Sequence, residues 1–162
     1  MKYLIPTLIA ATALTFSCSS PAASEAATEE DHSEHMHTEE ATGPEMHATP
    51  EGAKVFFANL TDGDTVQSPL YVEFGIEGME VMPAGEIVEG AGHHHIIIDA
   101  QHIGLTEPVP ADETNIHYGK GQTSDSLSLS VGKHNLTLQF ADGVHRSYGE
   151  KLSNQISIFV AE

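Results

Sequence analysis

Gly92-His93-His94-His95-Ile96-Ile97-Ile98-Asp99 is the stretch that decides how this chain is read. Its β-branched isoleucines favour extended backbone, where their stiff side chains pack well on a pleated surface. Side chains alternate along a strand, so His93, His95 and Ile97 share one face while His94, Ile96 and Ile98 share the other. Same-face neighbours on a strand are roughly 6–7 Å apart, close enough for two imidazoles to converge on one metal ion. A strand cap, with the imidazoles hydrogen-bonded to turns, also fits the triplet taken alone.

Working outward, residues 53–162 lack helical periodicity. Short alternating runs are separated by Gly, Pro, Asn and Asp, which predicts an all-β domain. Lys54-Val55-Phe56-Phe57-Ala58 is the first expected strand. Leu70 to Ile76 alternates cleanly, with Leu70, Val72, Phe74 and Ile76 inward and Tyr71 and Glu73 outward. Glu80–Ala91 is expected as a loop before the histidine strand. A long loop, 101–113, follows that strand. Asn115-Ile116-His117-Tyr118 is a short strand. Ser126–Val131 is another, with Leu127, Leu129 and Val131 inward, and Gly132-Lys133 is a tight turn. His134–Phe140 puts Leu136, Leu138 and Phe140 inward. Asp142-Gly143 turns the chain, 144–151 is a polar loop, and Gln155–Val160 closes the domain. About seven strands with regular turns predict an immunoglobulin-like β-sandwich, with a jelly-roll or barrel as the alternative.

Upstream, Ser19–Gly52 has a different composition. Ser19–Pro50 carries eight acids, no base and no apolar side chain larger than Met, so it cannot bury a core and is expected to be a disordered tether. His32, His35, His37 and His47, interleaved with Met36, Met46 and carboxylates, suit weak metal capture as well as a plain solvated spacer. Residues 1–18 read as an export signal. Met1-Lys2 is a short positive start, and the apolar run to Phe16 is too short to span a bilayer. Leu14-Thr15-Phe16-Ser17-Cys18 resembles a bacterial lipoprotein signal in which Cys18 is lipidated and becomes the mature N-terminus. Leu14 lies one place further from Cys18 than that pattern has it, and Phe16 is bulky. The expected location is the bacterial periplasm or cell surface, with a membrane contact through the lipid anchor only.

The whole chain of 162 residues has 24 acids against 6 bases, a formal charge of −18. Such a surface repels phosphate backbones, which argues against a nucleic-acid partner, and attracts cations. With a single Cys, neither a disulfide framework nor a multi-cysteine zinc site can form within one chain. Eleven histidines and five methionines supply ligands for borderline and soft metals instead.

A series of polar blocks gives the chain a resemblance. Gly78-Met79, Pro83-Ala84-Gly85, Gly92-His93-His94-His95 leading to Asp99, and Pro110-Ala111-Asp112 come first. His117-Tyr118-Gly119-Lys120-Gly121-Gln122-Thr123, Gly132-Lys133-His134 and Asp142-Gly143-Val144-His145 follow in order. Over roughly residues 54–160 the chain resembles domain-of-unknown-function family 4399, a family of small exported bacterial domains. It departs from that pattern near Arg146-Ser147-Tyr148, where relatives often place another His or Pro. The resemblance implies no activity.

Packing does not require these blocks, and polar loop blocks on a rigid scaffold are where function usually sits. If the strand ends meet, His93, His95, His117 and His145 form a site suited to Zn(II), Cu(II) or Ni(II). Met79 and Met82 would tilt it toward copper, although methionines under a loop are also ordinary packing. Asp99 and Gln122 could orient the imidazoles from behind. His134 and His94 are expected to be structural, and His102 has no assigned role. Three functions remain open. The first is an exported lipoprotein that binds copper or zinc. The second is an interaction module for an envelope protein. The third is a metal-dependent hydrolase or oxidase with Glu86 or Glu89 as base, which lacks an established catalytic motif.

Overall fold

The computed structural model describes Met46 and residues 48–162. The leader, Cys18, His32, His35, His37 and His47 lie outside the described residues. Two packed sheets form the domain. One holds β1 (Lys54–Phe57), β3 (Leu70–Glu77) and β7 (Ser124–Leu127) in the order β1-β3-β7. The other runs β2 (Thr65–Val66), β9 (Ser153–Val160), β8 (Gly132–Ala141), β5 (Ala91–Ile98), β4 (Glu80–Val81), with β6 (Asn115–His117) also on β5. The β-sandwich expected from the alternation is therefore present. The described residues hold no helix beyond one 3-10 turn, Glu150–Leu152, and none able to cross a membrane.

The core is built from the inward residues of both sheets. Val72, Phe74 and Leu127 come from the small sheet, and Ile96, Leu136, Leu138, Phe140, Ile156, Ile158 and Val160 from the large one. Period-two alternation explains this choice, because the outward neighbours Tyr71, Glu73, Gln155 and Phe159 are exposed.

Several boundaries differ from the sequence expectation. β7 covers Ser124–Leu127, because Leu70 pairs with Leu127 and the ladder ends there. Val131, expected inward, is 58 % exposed. Gly132 and Lys133, expected as a turn, open β8 by pairing with Val160 and Phe159. The short strands β2 and β4 hold edge positions through parallel pairings with β9 and β5, which two-residue segments cannot signal by periodicity. Domain packing also starts upstream of Ala53. Met46 lies against the core, and the Thr49 carbonyl accepts a hydrogen bond from Lys151 Nζ at 3.0 Å.

The outer face of the large sheet is covered by loops over β5 and the second half of β8, where Thr137, Gln139 and Ala141 are buried. Gln139 is fully buried there and accepts from the Ile103 N–H, while its amide donates to the Phe140, Gly149 and Leu152 carbonyls. Thr137 and Gln155 both donate to the Ala100 carbonyl, and Ser147 donates to that of Ile103. The long loop after β5 is thus pinned by buried polar side chains. The segment after β8, expected as a polar loop, is pinned as well. Ser147, Tyr148 and Leu152 are buried, and the Tyr148 hydroxyl donates to the Ala91 carbonyl at 2.9 Å.

Candidate metal centre

The histidine strand β5 lies between β8 on one side and β4 and β6 on the other. Ile96 faces the core, so His93 and His95 face the covered outer side, where both are fully buried. Antiparallel register sets His95 opposite His117 of β6, and directly opposed residues on one face are close neighbours. His145 arrives from the turn after β8. Asp142 builds that turn. Its Oδ1 accepts the Val144 and Arg146 N–H groups, its carbonyl accepts the His145 N–H, and its Oδ2 pairs with Arg146 Nε at 2.7 Å. His145 sits at φ 71, a left-handed conformation unusual for a residue with a side chain. The Val109 N–H bonds its carbonyl at 2.9 Å and holds it there.

Together these elements bring the four imidazoles to one place. His93 Nε2 lies 3.0 Å from His95 Nε2, and His117 Nε2 lies 3.1 Å from His145 Nε2. His93, His95 and His117 offer ligand nitrogens all within 4.8 Å of one another. His145 joins through His117, with ring centroids 4.6 Å apart, and its ring is 5.0 Å from that of His93 and 5.9 Å from that of His95. Two nitrogens bound to one metal at about 2.0–2.1 Å are separated by about 2.9 Å at a right angle and about 3.4 Å at the tetrahedral angle. Both Nε2 pairs fall in that range.

Residues 72–161 match the family described as Domain of unknown function (DUF4399). The chain belongs to that family. The match begins inside β3, so β1 and β2 lie before it. No curated protein and no solved structure matches the chain.

Burial and mutual repulsion favour the neutral imidazole at His93, His95 and His117 of this DUF4399 domain. Burial lowers the His93 pKa to about 4, helped by His117 and His145 and opposed by Asp142. Burial, then His93, His117, His145 and His94, lower that of His95 to about 2. His117 is lowered too, by burial first and then by His145. Neutral imidazoles keep lone pairs free for a cation, with no proton to displace at neutral pH.

Three glycines of the family's blocks give the site its room. A Cβ on Gly119 would fall 2.2 Å from the His117 ring. One on Gly92 would fall 2.2 Å from the Ala141 carbonyl oxygen, and one on Gly143 would fall 1.8 Å from that of Glu86. Gly119 therefore leaves the space that the His117 ring occupies, and Gly143 lets the loop after β4 close on the turn that carries His145. Asp142-Gly143 turns the chain as its sequence predicts, and the Asp142 carboxylate caps that turn, as Asp side chains commonly do.

Val81 pairs with Gly92 in parallel register, so Met82 follows beside the histidine strand. Met79 packs against the core, and Met82 is half-buried with its N–H on the Gly92 carbonyl at 2.7 Å. No hydrogen bond joins either thioether to an imidazole among the described residues. Asp99, expected behind the imidazoles, instead binds His134 Nδ1 at 2.9 Å and the Asn135 N–H at 2.8 Å. It sits at the far end of β5, six residues from His93, which is why it cannot reach them. Gln122 is exposed, and its side chain accepts from the Lys120 N–H. His134 closes its own turn through Ser130, as expected of a structural histidine. Glu86 and Glu89 are exposed, and Asp142, the only buried carboxylate among the described residues, has both oxygens engaged by its turn and Arg146.

Proposed function

We propose that this domain binds one transition-metal ion through His93, His95, His117 and His145, and that it does so as an exported, lipid-anchored protein of the bacterial envelope. The convergence of the two Nε2 pairs at metal-ligand spacing supports this most strongly. A neutral imidazole pair can share only one N–H···N hydrogen bond, so burying four such rings together gains little unless a cation unites them. An all-nitrogen set favours Cu(II), with Zn(II) bound less tightly. The acidic surface supports the reading by concentrating cations.

Calorimetric titration of Cu(II) and Zn(II) tests it. The full chain with His32, His35, His37 and His47 replaced by Ala is expected to bind one equivalent, and His93→Ala with His95→Ala to abolish it. Retained one-to-one binding in that double variant would place the site elsewhere. No binding without the tether histidines would leave an interaction module with a metal-sticky tether. For the anchor, globomycin is expected to make the unprocessed precursor accumulate.

A further inference from the structure

The four imidazoles are not equivalent. His93 and His95 are fully buried on a central strand, whereas His117 and His145 are half-buried, at a strand end and on a turn. Access to the centre therefore runs past His117 and His145. The inner pair also has an unusual second side. Nδ1 of His93 and Nδ1 of His95 are both buried without a hydrogen-bond partner. A metal-ligating histidine almost always donates that other N–H to a carboxylate, carbonyl or water, which fixes the ring and raises its basicity. Losing one such partner typically weakens a metal site about 10- to 100-fold. Here the nearby carboxylate of Asp142 is committed to Arg146 and to the backbone of its own turn.

We infer, resting on the metal-site reading above, that this is an exchange site rather than the seat of a resident cofactor: its ion leaves through the lip formed by His117 and His145, by ligand replacement. In each step a donor atom of the acceptor bonds the metal as the bond to His145, and then that to His117, breaks. The metal keeps its oxidation state, and any proton shed by the acceptor's donor passes to solvent. The inner pair holds the ion until the lip has let go. The acceptor is a donor-rich chain or small molecule offering imidazole, thioether or amine ligands, able to approach a half-buried lip but not the sealed side of the sheet.

The test uses the full chain with the four tether histidines replaced by Ala, loaded with one equivalent of Cu(II) and mixed with excess EDTA. Loss of the Cu(II) absorbance is followed in a stopped-flow instrument. Transfer is expected within seconds, at a rate proportional to EDTA concentration. His145→Ala is expected to keep one-to-one binding and release on the order of tenfold faster. Lys120→Ala, on the exposed turn after β6, serves as a control and leaves the rate unchanged. Release over hours at a rate independent of EDTA would overturn exchange at the lip while leaving the metal site standing. Failure to load one equivalent would overturn the metal site itself, and the exchange inference with it.

Discussion

His94 and its neighbours His93 and His95 are the same residue type on the same strand, all fully buried, yet the two faces of β5 treat them differently. His94 packs inside the sandwich between Phe74 and Phe140, with ring centroids at 5.4 and 5.0 Å. Neither of its nitrogens has a hydrogen-bond partner. Burial lowers its pKa to about 4, the value His93 reaches on the other face. Desolvation therefore does not distinguish a core histidine from a candidate ligand. What distinguishes them is company: His94 faces phenyl rings, while His93 and His95 face two further imidazoles brought by β6 and by the turn after β8.

The largest expected effect removes the difference between the faces altogether. Gly92→Ala would place a methyl group 2.2 Å from the Ala141 carbonyl oxygen and 2.8 Å from the Phe140 ring. Both obstacles belong to the central β5–β8 pair, which cannot shift without disturbing the core and the outer site together. A loss of about 3 kcal/mol is expected, at the top of the overpacking range, read from the midpoint of denaturant unfolding. An unchanged midpoint would mean that the β5–β8 register is wrong.

That register also marks how far the sequence could be read. Alternation in Leu70–Ile76 and His134–Phe140 carries the inner face directly, since each inward residue must be apolar. The parity of His93 and His95 was legible for the same reason, and so was the grouping of His117 and His145 with them as a possibility. Their actual meeting depends on antiparallel pairing of β5 with β6 and on the Asp142 turn, long-range facts that no local pattern encodes. Asp99 illustrates the limit. An acid just beyond a histidine run suggests a supporting carboxylate, but it lies four residues from His95 and six from His93, past the far end of β5. The order in residues 101–113 was equally hidden, because buried Gln139 and Thr137 hold that loop from a strand distant in sequence.

A smaller effect sharpens the contrast between the faces. Replacing His94 with Leu removes two unpartnered buried nitrogens and keeps an apolar group of similar bulk in an apolar setting. A gain of about 1–2 kcal/mol is expected, with metal binding unchanged, whereas His93→Leu should lose metal binding. The pH dependence follows the same residues. Unfolded, an imidazole titrates near its ordinary 6.5, while folded His93 and His94 titrate near 4 and His95 near 2. Below 6.5 the unfolded chain therefore binds more protons, and stability falls as pH drops toward 4. Thermal unfolding of the metal-free protein between pH 7 and pH 4 should show this fall, and His94→Leu should make it shallower. An equally steep fall in the variant would mean that His94 already has a polar partner.

The smallest effect tests whether the outer site ends where β5 ends. Asp99 closes the strand at φ 57, a conformation that Asp and Asn tolerate better than other residues with side chains. One carboxylate oxygen accepts the Asn135 N–H, and the other pairs with His134, whose Nε2 reaches the Ser130 carbonyl at 3.0 Å. Burial is the largest single influence and raises the Asp99 pKa, but the Asn135 N–H, the His134 hydrogen bond and the His134 charge together hold it below the usual carboxylate range. Half of its side chain is exposed, so solvent screens the ion pair and little stability can rest on it. Asp99→Asn keeps the acceptor for Asn135 and the tolerance for positive φ, so it should be nearly neutral. Asp99→Ala loses both and should cost about 1 kcal/mol. Neither variant should alter Cu(II) affinity, because β5 separates Asp99 from the imidazole cluster. A drop in affinity in Asp99→Asn, with stability intact, would show that the carboxylate acts on the cluster through the strand after all, and that the two ends of β5 form one functional unit.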